Sequence, residues 1–207
     1  MPQTTTAPRL LSLSSLLPLA LLAGCGTFKS EREMTYEHAL SIKGPVTLDV
    51  QTDNGPISIE AAPGTRTLKV ISKQRAHGTS QGAADARVAT FDVSIQEDAD
   101  GTIVIRPILP KPRQSGDMVG LQVMVPELAG AHAVSDNGRI HLEGATAKST
   151  LYTDNGRVSA IGCSADLQIE TDNGRVSVQD CSRARQVETD NGRSGIEAHS
   201  WHVFAYT

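Results

Sequence analysis

Carboxylate, amide and glycine recur together in this chain at one fixed spacing. Asp136-Asn137-Gly138, Asp154-Asn155-Gly156, Asp172-Asn173-Gly174 and Asp190-Asn191-Gly192 start 18 residues apart, and each precedes an arginine: Arg139, Arg157, Arg175 and Arg193. An earlier copy, Thr52-Asp53-Asn54-Gly55, precedes Pro56 instead. Stacked carboxylates of this kind could ligate calcium, since calcium-binding rolls also use coils of about 18 residues rich in glycine and aspartate. Those rolls carry the loop signature in both half-coils, whereas the second corners here read EGATAK, GCSAD and DCSRA. No metal is expected. His199 and His202 form an H-x-x-H without Cys or acidic company, a weak pattern for a metal site. Cleavage of a glycan on a β-helix would need carboxylates converging in a groove, but these carboxylates are accounted for as turn residues. The chain has no Gly-x-Ser-x-Gly, no P-loop and no dinucleotide fingerprint. The expectation is a protein without catalytic residues or cofactor.

The cysteines offer different chemistry. Residues 1–24 hold one charge, Arg9, and an apolar run from Leu10 to Ala23. That run falls short of the roughly 20 apolar residues that span a bilayer, so it reads as a signal peptide. Its end, Leu22-Ala23-Gly24-Cys25, resembles a bacterial lipobox. The resemblance implies cleavage before Cys25 and acylation of its thiol, giving an anchor that does not cross the membrane. Gly26, where retention in the inner membrane usually requires Asp, favours the outer membrane. Removing residues 1–24 deletes only Arg9, taking the formal charge from -4 to -5. No clustered basic run marks a nucleic-acid partner. Cys163 and Cys181 remain, also 18 residues apart, as a possible disulfide pair in an oxidising compartment.

These groups need elements to hold them. Residues 25–43 are polar and read as a tether to the domain at 44–207. Val46, Leu48 and Val50 alternate toward the Asp53-Asn54-Gly55 turn, followed by Ile57 and Ile59. A strand is expected over 67–72 and a polar excursion over 73–87. A hairpin follows, with strands at 91–96 and 102–107 around a turn at 97–101, then a proline-rich loop at 108–117 and a strand at 121–125. Segment 73–118 therefore reads as an irregular insert. Counted from each Asp of the repeats at 135–193, offsets +4 and +6 carry Ile140 and Leu142, Val158 and Ala160, Val176 and Val178. Offsets +13 and +15 carry Ser149 and Leu151, Leu167 and Ile169, Arg185 and Val187; Thr153, Thr171 and Thr189 fall at +17.

Two apolar pairs per period predict two short strands and two corners, hence an all-β chain folded as a two-sided parallel β-solenoid. An antiparallel meander with Asp-Asn-Gly hairpins fits the same period. The cysteines separate the two. Parallel stacking makes Cys163 and Cys181 neighbours within about 4.4–6.8 Å, while a meander holds them about 9.6 Å apart. In the solenoid, the repeat glycines are expected at positive φ, the asparagines in an amide ladder, and the aspartates and arginines in one stripe of alternating charge.

The lipobox leader, the TDNG coil, the strand ending Val125-Pro126-Glu127 and the serial T-D-N-G-x-V-x-V units together resemble the bacterial putative-adhesin domain family of unknown function. The resemblance covers most of residues 44–193 and implies a β-solenoid envelope lipoprotein, with no catalytic residues to carry over. The function expected is a non-catalytic, adhesin-like binding or scaffold module, with specificity in the insert. Its partners would be the membrane, through the lipid, and an envelope protein or glycan. The pattern fails at Ser194 and Gly195, and the chain ends HSWHVFAYT. That end is either a cap or a truncated coil, and a poorly capped coil would self-associate through its edges.

Overall fold

The structure is a computed structural model that describes residues 28–39, 44–197 and 204–206. The leader, Cys25, His199 and His202 lie outside these residues.

Period-two alternation becomes strand wherever one face can be buried. The strands are β1 (Phe28–Ala39), β2 (Val46–Asn54), β3 (Ile57–Ala61) and β4 (Thr67–Gly78), followed by helix α1 (Gln81–Val88). Then come β5 (Asp92–Glu97), β6 (Ile103–Ile108), β7 (Met118–Val125), β8 (Leu128–Asn137) and β9 (Ile140–Glu143). The chain continues through β10 (Ser149–Ile161), β11 (Asp166–Gln179), β12 (Arg183–Thr189), β13 (Arg193–Glu197) and β14 (Phe204–Tyr206). All belong to one 14-stranded mixed sheet, nearly closed and barrel-like.

The repeats stack in parallel, in register. Thr153 lies beside Thr171, Asn155 beside Asn173 and Val158 beside Val176, every partner one period away. This excludes the meander, because Asp-Asn-Gly runs through the middle of β10 and β11 and closes no hairpin. The first half of β10 pairs with β8 and its second half with β9, so one bent strand serves both faces. The TDNG copy at 52–55 is the layer beneath: β2 pairs with β8, and β3 with β9.

The expectation of an all-parallel solenoid with an irregular insert is corrected here. The sheet is mixed, since β1–β4, β4–β7 and β5–β6 are antiparallel. The insert extends the sheet: β6 and β7 pair in parallel with β2 and β3, forming one further layer below the first coil. Its helix, not expected from the sequence, is capped by the Ser80 hydroxyl and buries Ala84 and Val88. Eight residues with two buried side chains carry too little periodicity to be seen in sequence.

The tether is also corrected. Residues 28–39 form a full strand against β4. Arg32, Met34, Tyr36 and His38 are half-buried while Glu31, Glu33, Thr35 and Glu37 are exposed. The alternation is there, but its inner side is made of amphipathic side chains whose polar ends find partners. Arg32 donates to Gln74 Oε1 at 2.7 and 3.0 Å, and Tyr36 Oη to Asp92 Oδ1 at 2.9 Å.

Between the two faces, Leu48, Val50, Ile57, Ile59, Ile140, Leu142, Leu151, Val158, Leu167 and Val176 belong to one buried cluster. The aliphatic offsets described by the structure are therefore core positions.

Candidate functional site

The repeated corner is built from the inside out. Thr52, Ser135, Thr153, Thr171 and Thr189 are all buried at the same position, just before Asp. Ser135 Oγ donates to the Gly55 carbonyl and Thr153 Oγ1 to the Gly138 carbonyl, both at 3.1 Å. Each of these two hydroxyls thus satisfies the glycine carbonyl one layer down, whereas Thr52 Oγ1 donates to the Val119 carbonyl at 2.9 Å and the buried Thr171 and Thr189 hydroxyls have no hydrogen-bond partner among the described residues.

The glycines play a different part from the one expected. Gly138, Gly156, Gly174 and Gly192 are not among the positive-φ residues; of the five corner copies only Gly55 is, at φ +148°. What they supply is closeness. A Cβ on Gly156 would overlap the Gly138 carbonyl oxygen, one on Gly174 the Gly156 oxygen, and one on Gly192 the Gly174 oxygen. In-register stacking through a bend brings backbone onto backbone, and only glycine fits there.

The asparagines form the expected ladder on the outside. Asn173 Nδ2 donates to Asn155 Oδ1 at 3.2 Å, Asn155 to Asn137 at 3.1 Å, and Asn137 to Asn54 at 3.1 Å. At the last copy Asn191 joins through its backbone, whose N–H donates to the Asp172 carbonyl at 2.7 Å.

The alternating-charge stripe is corrected. Among the described residues no ion pair joins Asp136, Asp154, Asp172 or Asp190 to an arginine. The reason is direction. The Tyr152 hydroxyl, on the β8–β10–β11 face, bonds to Asp154. That bond, with burial and the charges of Asp172 and Glu170, pushes the phenol up to about 12. Arg139, Arg157 and Arg175 stand beyond the bend, exposed on the β9–β10–β11 face. The first copy, which has Pro56 in place of arginine, receives its cation from elsewhere: Arg113 of the insert pairs with Asp53.

Cys163 and Cys181 are buried neighbours with free thiols. The Cys163 N–H donates to Cys181 Sγ at 3.3 Å. A hydrogen bond from the Cys163 thiol holds Cys181 down, to about 7, against the opposing effect of burial. The same bond and burial push Cys163 up.

The insert is held by a different device. Arg87 Nε and Nη2 grip Asp117 at 2.8 and 2.5 Å, and the Gln114 N–H donates to the same carboxylate at 2.9 Å. Sequence reading missed this pair because 30 residues separate its members and neither sits in a motif.

Among the described residues no three His, Cys, Asp or Glu side chains converge on a possible metal position, and no helix is long and apolar enough to cross a membrane. The described residues offer rows of repeated side chains on both faces of the stack. No protein-family model matches the sequence, and no curated protein matches it. Among solved structures, a "putative cell adhesion protein" from Clostridium sporogenes is similar, with a TM-score of 0.58 at 8% identity. The match covers 82% of this chain and 100% of that one. A "putative adhesin" from Bacteroides fragilis matches at 12% identity and a TM-score of 0.33, over 85% of this chain and 97% of that one. At such identities the first match shows a shared fold and the second supports no argument. The class defined is an all-β mixed-sheet protein with the fold of a bacterial protein named for adhesion.

Proposed function

We propose that this chain is a non-catalytic, adhesin-like binding module of the bacterial envelope, anchored through a lipid on Cys25 at the outer membrane. In this reading the stacked layers at 46–61, 128–143, 149–161, 166–179 and 183–197 act as coils of a short β-solenoid. The strands of the insert close its lower end. One observation carries the proposal: in-register stacking turns outward positions into straight rows, in which the asparagines, the arginines and Ser159 with Ser177 repeat from layer to layer. Such rows are suited to contact with an extended partner. The similar Clostridium sporogenes structure, named for cell adhesion, supports it.

Two further parts belong to the same proposal. Cys163 and Cys181 close a disulfide between adjacent layers on export, their two electrons and two protons passing by thiol–disulfide exchange to a disulfide-bearing oxidant of the envelope. The last layer self-associates, since among the described residues β13 pairs with β11 alone.

The test is retention. Immobilised full-length chain should capture envelope polysaccharide or protein saturably, and Cys25→Ser should release the chain from membranes and abolish labelling by radioactive palmitate. Turnover of peptidoglycan or polysaccharide that disappears on replacing a single carboxylate would instead establish a glycan-active enzyme on this scaffold.

A further inference from the structure

The β4–β7–β3–β9–β10–β11 face carries a row of charge that the repeat alone does not disclose. Lys73 on β4 lies beside Gly120 on β7. Leu121 N–H donates to the Pro56 carbonyl, and Ile57 N–H to the Arg139 carbonyl, both at 2.8 Å, so Gly120, Pro56 and Arg139 are consecutive in that row. Arg157 follows Arg139 one strand on, because Val158 pairs with Ile140, and Arg175 pairs directly with Arg157. Lys73, Arg139, Arg157 and Arg175 are all exposed. Lys73 has Glu33 at 3.7 Å on its outer side, but the three guanidiniums form no ion pair with any described residue.

The neighbouring rows limit what can lie here. One outward position further along the strands stand Gln122, Ser58, His141, Ser159 and Ser177, a line of hydrogen-bonding groups. One position beyond that the row runs Lys69, Met124, Glu60 and Glu143, so its two carboxylates lie on the Arg139 side; Glu60 accepts from Ser58 Oγ at 2.8 Å and Glu143 lies 3.6 Å from His141. Among the described residues these rows hold no phenyl, phenol or indole ring, and His141 is their one aromatic side chain. Where Gly120 and Pro56 interrupt the cations, the surface dips into a groove of about 300 Å³ walled by Lys73, Ile71, Gln122 and Ser58.

Like charges on directly opposed positions of adjacent strands repel, and a bridging anion relieves that repulsion. Guanidinium presents paired N–H groups that match a carboxylate. An extended saccharide advances by about 5 Å per unit, close to the spacing between strands. We propose that the Lys73–Arg139–Arg157–Arg175 row binds a linear acidic polysaccharide that runs across the strands. Its carboxylates lie on the guanidiniums, and its hydroxyls lie on Ser58, Ser159, Ser177 and His141. The proposal rests on the adhesin-like reading and gives that reading a ligand class. The occupant is narrow because Glu60 and Glu143 repel any broad anionic surface such as a bilayer. It is a sugar chain because a run of bases stacks on a succession of rings, and among the described residues these rows hold one, the His141 imidazole, already engaged by Glu143.

The probe is linear polygalacturonate, titrated onto the full chain, with neutral dextran and inorganic polyphosphate as parallel arms. Polygalacturonate should bind and weaken as salt rises, dextran should not bind, and polyphosphate should bind more weakly. Replacing all of Arg139, Arg157 and Arg175 by serine should cost roughly tenfold or more, and Arg157→Ser alone roughly threefold. Ser159→Ala should cost about twofold, and Gln168→Ala, on the opposite face, nothing. Circular dichroism of each variant reports its fold. Equal affinity for polyphosphate, binding of dextran, or full affinity in the triple variant would overturn the track. Envelope capture unchanged in the triple variant would remove the track but leave the adhesin-like reading intact; no capture by the unaltered chain would remove that reading.

Discussion

The repeats and the insert solve the same problem in opposite ways. In the repeats the polar groups that find partners find them at the matching corner of an adjacent layer: the Thr153 hydroxyl at the Gly138 carbonyl, the Asn155 amide at Asn137, and the Cys163 N–H at the Cys181 thiol. The insert has no counterpart to copy, so its loops are held by individually tailored contacts. Arg87 holds Asp117, Arg106 holds Asp49, and Arg113 reaches across to Asp53. A repeat distributes its stability over many small equivalent terms, while an insert concentrates it in a few keystones.

The largest effect is therefore expected in the insert. Asp117→Ala leaves Arg87 with 15% side-chain exposure and no carboxylate, which should cost about 3–5 kcal/mol in denaturant unfolding. The same carboxylate sets an acid limit. Burial pushes Asp117 up, but the Arg87 and Gln114 bonds, with the charges of Arg87 and His77, outweigh it and hold the group below its ordinary value. A depressed folded pKa gives stability that is present above the unfolded value of about 3.9 and lost as pH falls through the lower folded one. The chain should lose this contribution below about pH 4, and Asp117→Asn should flatten that part of the pH profile.

Next come the repeat glycines. Gly156→Ala sets a methyl against the Gly138 carbonyl and should cost about 1–3 kcal/mol, with amide exchange accelerating first in the flanking layers. Thr153→Val deprives the Gly138 carbonyl of its donor and should cost about 1 kcal/mol. Asn155→Ala removes two exposed amide bonds and should cost about 0.5 kcal/mol in the same measurement. If Asn155→Ala matched Asp117→Ala, the contrast between distributed and concentrated stability would be lost.

Legibility follows the same division. The offsets that placed Ile140, Leu142, Val158, Val176 and Val178 inside were readable because a buried strand face imposes period two. Stacking also forces each unit to repeat the last. β1 was unreadable as a strand because its inner side chains are Arg32, Met34, Tyr36 and His38, whose polarity hides the alternation until Gln74 and Asp92 are present to receive it. The glycines were found in the right places for a mistaken reason. A local rule about φ cannot register the approach of another layer.

The amino-acid order by itself determined the 18-residue layer, the buried aliphatics, the threonine row and the asparagine seam, all of which are local patterns copied at fixed distance. Only the tertiary structure decided that β6 and β7 slide beneath the first coil, and that a bend sends aspartates to one face and arginines to the other. It also set Lys73 in line with Arg139 across two intervening strands. Those pairings join residues with no common motif. Their energies come from backbone hydrogen bonds and burial that exist only once the sheet has formed.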